Sequence, residues 1–87
     1  MTVSYNEERI KTFEEQYRAQ LALLAADNPS YFMTAVPVST IADRMLTAIK
    51  TNGIRSVNID GKGFKRTAAA LGIKKTYVSI EAYLKGD

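Results

Sequence analysis

The chain is predicted to be all-α: a long N-terminal helix ahead of a trihelical core, with at most one short strand. Three observations carry this. Ile10, Phe13, Tyr17, Leu21 and Leu24 recur at steps of three and four, the period of one helix face. A second stripe is formed by Ile41, Met45 and Ile49, and a third by Ile73, Tyr77, Ile80 and Leu84. Strand-like alternation is confined to Val57 and Ile59 among polar neighbours.

The first helix is expected over residues 4–28. Ser4 and Glu7 have capping-box spacing, and Glu14 and Arg18 form an i,i+4 pair in the favourable order. Pro29 ends the helix by pushing Asn28 out of the helical region. Ala22, Leu23, Ala25 and Ala26 widen the stripe toward its C-terminal end. Such a face is either a dimerisation seam or the side packed on the rest of the domain.

Residues 29–38 are ambiguous. Asn28 is able to cap a short helix opened by Pro29, and Pro37 keeps 34–38 extended. Tyr31, Phe32 and Met33 are expected in the core. The next helix starts at Ser39 or Thr40, with Asp43 as a capping partner, and stops at Asn52-Gly53. Ile41, Met45 and Ile49 form its main face, flanked by Ala42, Leu46 and Ala48. Residues 54–59 read as a short strand or extended connector, and residues 60–63 as a loop. The glycines of that loop allow a close backbone approach, but Gly61-Lys62-Gly63-Phe64-Lys65-Arg66 lacks the spacing of a nucleotide-binding P-loop. A helix over residues 64–71, a turn at Gly72 and a last helix capped by Thr76 and ending near Leu84 complete a single domain over residues 1–87. Residues 1–28 support or dimerise it, and residues 39–87 form its core.

Composition narrows the function. With 87 residues, 46% apolar and 24% charged, the chain is too apolar for general disorder and too short for a large core. There is no cysteine, so disulfides and thiolate metal sites are excluded. There is no histidine, which removes the commonest general base and metal ligand. An enzyme is therefore not expected, and no cofactor is implied. No apolar run approaches the ~20 residues of a membrane span, and residues 1–9 lack a signal-peptide pattern, so a cytoplasmic setting is expected. The net charge of +3 is uneven: residues 1–43 sum to −3 and residues 44–85 to +7. A basic half on an otherwise acidic-to-neutral chain is the footprint of a polyanion binder.

Thr67-Ala68-Ala69-Ala70-Leu71-Gly72-Ile73, followed five residues later by Val78, resembles the helix-turn-helix of small bacterial, phage and plasmid regulators of the Cro and repressor type. The resemblance covers about residues 64–84. It implies that Ala68 lets two helices approach, that Gly72 makes the turn, that Ile73 packs beneath it and that Val78 anchors the second helix. Glu81 departs from the pattern, which prefers an apolar residue there. Periodicity also favours a register in which Tyr77, Ile80 and Leu84 are buried and Val78, Ser79 and Ala82 face outward. The preceding order of helix, short strand and helix is similar to the opening of a winged helix, here without the wing.

The resemblance implies a DNA-binding protein of the small transcriptional-regulator kind. Lys62, Lys65, Arg66, Lys74 and Lys75 are expected to contact phosphates, with Lys75, Thr76 and Ser79 reaching base edges in the major groove of double-stranded DNA. One such unit binds weakly, so a homodimer is expected, with Ile10, Phe13, Tyr17, Leu21 and Leu24 as its candidate surface. No aromatic-rich strand offers base stacking, which favours DNA over RNA. The alternative is a helical protein–protein interaction module whose lysines face solvent.

Overall fold

A computed structural model describes residues 5–27 and 37–86. The expectations for Ser4, for the Asn28-Pro29 cap and for Tyr31, Phe32 and Met33 lie outside those residues. The described chain folds as α1 (Glu7–Asp27), α2 (Val38–Asn52), a 3-10 turn (Ile54–Ser56), α3 (Lys62–Leu71) and α4 (Tyr77–Lys85), with no strand among the described residues. The all-α class is as predicted.

α1 is the hub. Its first turn is capped by Asn6, whose Oδ1 accepts the Arg9 N–H at 3.1 Å, with Glu7 and Glu8 at the positive end of the helix dipole. α2 packs along one side of α1 and α3 along another, and α4 leans on α1 and on the 3-10 turn. α3 and α4 are adjacent in sequence, yet each packs chiefly on α1 rather than on the other. Phe13, Tyr17 and Phe64 cluster at the α1–α3 seam, with ring centroids 5.0–6.2 Å apart. Gly63 makes this seam possible. A Cβ there would sit 2.9 Å from Leu21 Cδ2 and 3.3 Å from Tyr17 Cε1.

These contacts correct the dimer surface. Phe13, Tyr17, Leu21 and Leu24 are each at most 3% exposed within one protomer, and Ile10 is half-buried against the same core. Each large side chain so buried contributes roughly 1.5–3 kcal/mol to the protomer's own fold. The stripe is consumed internally and is not available to a second copy.

Other boundaries shift for local reasons. α2 begins at Val38, directly after an extended Pro37, so Ser39, Thr40 and Asp43 lie inside the helix rather than forming its cap. Its deepest residues are Ala42, Leu46 and Ile49, with Ile41 and Met45 half-buried beside them. Residues 54–59 are not a strand. Gly53, at φ +90°, turns the chain so that Ile54 is fully buried, and Ser56 Oγ donates to the Gly53 carbonyl at 2.7 Å. Lys62 and Gly63 are not a loop but the first turn of α3.

Gly72 closes α3 in the left-handed region, at φ +72°. Its N–H donates to the Ala69 carbonyl and the Ile73 N–H to the Ala68 carbonyl, the paired bonds of a Schellman ending. Thr76 caps α4, its Oγ1 accepting the Ser79 N–H at 3.1 Å. The register of α4 follows periodicity: Ile80 and Leu84 are fully buried, whereas Val78 is 69% exposed.

Candidate nucleic-acid interface

At 100° per residue, Ala82 lies opposite the midpoint between the buried Ile80 and Leu84. The outward ridge of α4 is therefore Val78 and Ala82, both short. Ser79 and Tyr83 fall on one flank, and Glu81 and Lys85 on the other.

Each flank borders a hollow, and Ala82 lines both. The first, of about 560 Å³, brings Ser79, Ala82 and Tyr83 together with Lys74, Arg9 of α1, and the apolar Leu71 and Ile73. The second, of about 190 Å³, is lined by Arg55, Val78, Glu81, Ala82 and Lys85. Two arginines from distant elements lie over tyrosine rings of α4. The Arg9 guanidinium is 4.7 Å from the Tyr83 centroid, and that of Arg55 is 5.8 Å from the Tyr77 centroid. Both are cation–π distances.

The elements that hold these groups are tied together. The Asn6 N–H donates to the Leu84 carbonyl at 2.8 Å, pinning the start of α1 to the end of α4. Tyr77 donates its hydroxyl to the Val57 carbonyl at 2.7 Å, fixing the other end of α4 to the segment after the 3-10 turn. Tyr5 Oη accepts the Ile54 N–H at 3.0 Å, joining the chain before α1 to that same turn.

The basic residues anticipated from sequence separate into groups. Lys74 and Ser79 share the first hollow. Lys62 and Lys65 are exposed on α3 and line neither hollow. Arg66 turns to Asp27 of α1 at 3.6 Å, and Lys75 turns to Asp60 at 3.8 Å. The Thr76 hydroxyl is engaged as the helix cap. Glu81 pairs with Arg55 at 3.7 Å and with Lys85 at 3.0 Å. Folding thus interleaves the acidic and basic halves, and the +7 segment does not present one uniform surface. Away from α4, Asp43 hydrogen-bonds Arg18 and raises its pKa, with help from Glu14, which fastens α2 to α1.

Sequence reasoning missed Arg9, Arg55, Tyr77 and Tyr83 as site residues. Both tyrosines were legible as α4 residues, but nothing local marks the two arginines, which reach α4 only through the tertiary fold. No family model matches the chain, and neither a curated protein nor a solved structure does. No cluster of metal-ligating side chains occurs among the described residues, and none of their helices is long and apolar enough to cross a membrane.

Proposed function

We propose that the protein is a small DNA-binding regulator that inserts α4 into the major groove of duplex DNA. One observation carries this: α4 turns a ridge of short side chains outward while cations stand on both of its flanks. Val78 and Ala82 give the ridge a profile that fits between two phosphate backbones, with Ser79 and Lys74 on one side and Lys85 on the other. A major groove about 12 Å wide admits an α-helix, and the flanking cations then meet one strand each. The resemblance of residues 64–84 to repressor-type helix-turn-helix units supports the same reading. The exposed Val78 and the small α3–α4 contact separate it from that pattern in detail. Val78 thereby becomes a groove-facing residue suited to a thymine methyl, and Ser79 remains available to a base edge.

Homodimer formation in a cytoplasmic setting belongs to this proposal, but through a surface other than the buried stripe of α1. Titration of labelled duplex DNA by fluorescence anisotropy tests the function. Binding at about 50 mM salt that weakens at least tenfold by about 200 mM is expected, because each neutralised phosphate releases counterions. Absence of binding at the lower salt refutes it.

A further inference from the structure

We infer that Arg9 and Arg55 are paired phosphate clamps, one for each DNA strand, held in position by Tyr83 and Tyr77. The inference rests on the proposed docking of α4.

The two arginines come from elements far apart in sequence and converge on opposite flanks of one helix. Arg9 belongs to the acidic helix α1 and lines the first hollow, while Arg55 belongs to the 3-10 turn and lines the second. Each guanidinium lies over a tyrosine that α4 itself supplies, at 4.7 and 5.8 Å. A ring beneath a guanidinium fixes its plane and leaves the edge N–H donors free for phosphate oxygens. The mounts are firm. Arg9 sits one turn from Asn6, whose N–H is bonded to Leu84, and Tyr77 is bonded to Val57, two residues from Arg55.

The acidic groups nearby permit this role. Glu7 and Glu8 precede Arg9 by roughly 200° and 100° around α1, so neither shares its helix face. Arg9 makes no ion pair among the described residues. Glu81 holds Arg55 at 3.7 Å and Lys85 at 3.0 Å. Phosphates on this flank compete with Glu81 for Arg55 and Lys85. Because both arginines lie outside residues 64–84, the clamp is a property of the whole fold and not of the helix-turn-helix segment.

The salt dependence of duplex binding reads the clamps directly. With Arg9, Arg55, Lys74 and Lys85 each neutralising one phosphate, the slope of log affinity against log salt is about −3.6. Arg9→Gln and Arg55→Gln each lower its magnitude by about 0.9, the double variant brings it to about −1.8, and each single change weakens binding about eightfold near 0.1 M salt. Tyr83→Leu keeps every charge but releases Arg9, so binding weakens and the slope moves toward that of Arg9→Gln. Damage to the fold alone would lower the melting temperature and leave the slope of the remaining active protein unchanged. If the unsubstituted protein binds and the double variant keeps its slope and affinity, the clamp is overturned while the docking of α4 stands. If the unsubstituted protein binds no duplex, the functional proposal fails and the clamp with it.

Discussion

Replacing Gly63 by alanine tests the seam on which the fold is built. The new Cβ would lie 2.9 Å from Leu21 Cδ2 and 3.3 Å from Tyr17 Cε1. Carbon atoms pack comfortably at about 3.5–4.0 Å, so Leu21 has to yield at least ~0.6 Å and Tyr17 about 0.2 Å. Neither has room, because both are buried at 3% exposure and Tyr17 is packed against Phe13 and Phe64. Overpacking of this kind costs about 1–3 kcal/mol, and the better helix propensity of alanine returns up to about 1 kcal/mol. From a mid-range overpacking cost of about 2 kcal/mol, the net loss is roughly 1–2 kcal/mol and lowers the melting temperature by roughly 4–16 °C for a domain of this size. Gly61→Ser is the matched control. Nothing lies within 4 Å of its Cβ position, and Gly61 occupies the α3 cap in extended geometry at φ −70°. Serine there supplies the missing side-chain cap and leaves stability equal or slightly raised. Thermal melts by far-UV circular dichroism compare the two. A Gly63→Ala protein that melts at or above the original would refute the close approach of α1 and α3.

Three further outcomes are expected. Thr76→Ala removes the acceptor for the Ser79 N–H and costs about 0.5–2 kcal/mol, seen as faster amide exchange in the first turn of α4; unchanged exchange there would contradict the cap. Tyr5→Phe leaves the buried Ile54 N–H without its 3.0 Å partner and costs about 1–3 kcal/mol in urea unfolding, so an unchanged midpoint would show that the bond contributes nothing. Glu81→Gln removes a negative charge from the outer side of α4 and with it the ion pairs to Arg55 and Lys85; DNA affinity rises severalfold with stability within about 0.5 kcal/mol, whereas unchanged or weaker affinity would place Glu81 outside the contact surface.

The helices were legible because burial at steps of three and four leaves a mark that needs no knowledge of the partner. Phe13, Tyr17, Leu21 and Leu24 announced a buried face, but the same pattern serves a dimer seam and a hub, and only the packing of α3 and α4 onto α1 separates them. The register of α4 was also readable. Ile80 and Leu84 repeat at helical spacing, and that local rule outweighed the position of Val78 in the regulator pattern. Residues 54–59 read as a strand or extended connector because Val57 and Ile59 alternate with polar neighbours; those two lie in the irregular segment after the 3-10 turn, and nothing but Gly53 marks the turn itself. Lys74 and Ser79 were found from the turn beside them. Arg9 and Arg55 were not, because their nearness to α4 depends on the Asn6–Leu84 and Tyr77–Val57 hydrogen bonds, which join residues far apart in sequence.

The dependence of α3 and α4 on α1 sets an order of events during synthesis. α1 leaves the ribosome first, yet Phe64, Ile80 and Leu84, which complete its shelter, are made last. At about 5–20 residues per second, the face carrying Phe13, Tyr17, Leu21 and Leu24 waits roughly 3–12 s for its final cover. α3 and α4 cannot form a separate nucleus meanwhile, because they pack so little on each other. Only α2 covers the apolar stripe of α1 until α3 and α4 have been made, so the nascent chain carries that stripe incompletely sheltered until its last helix is complete.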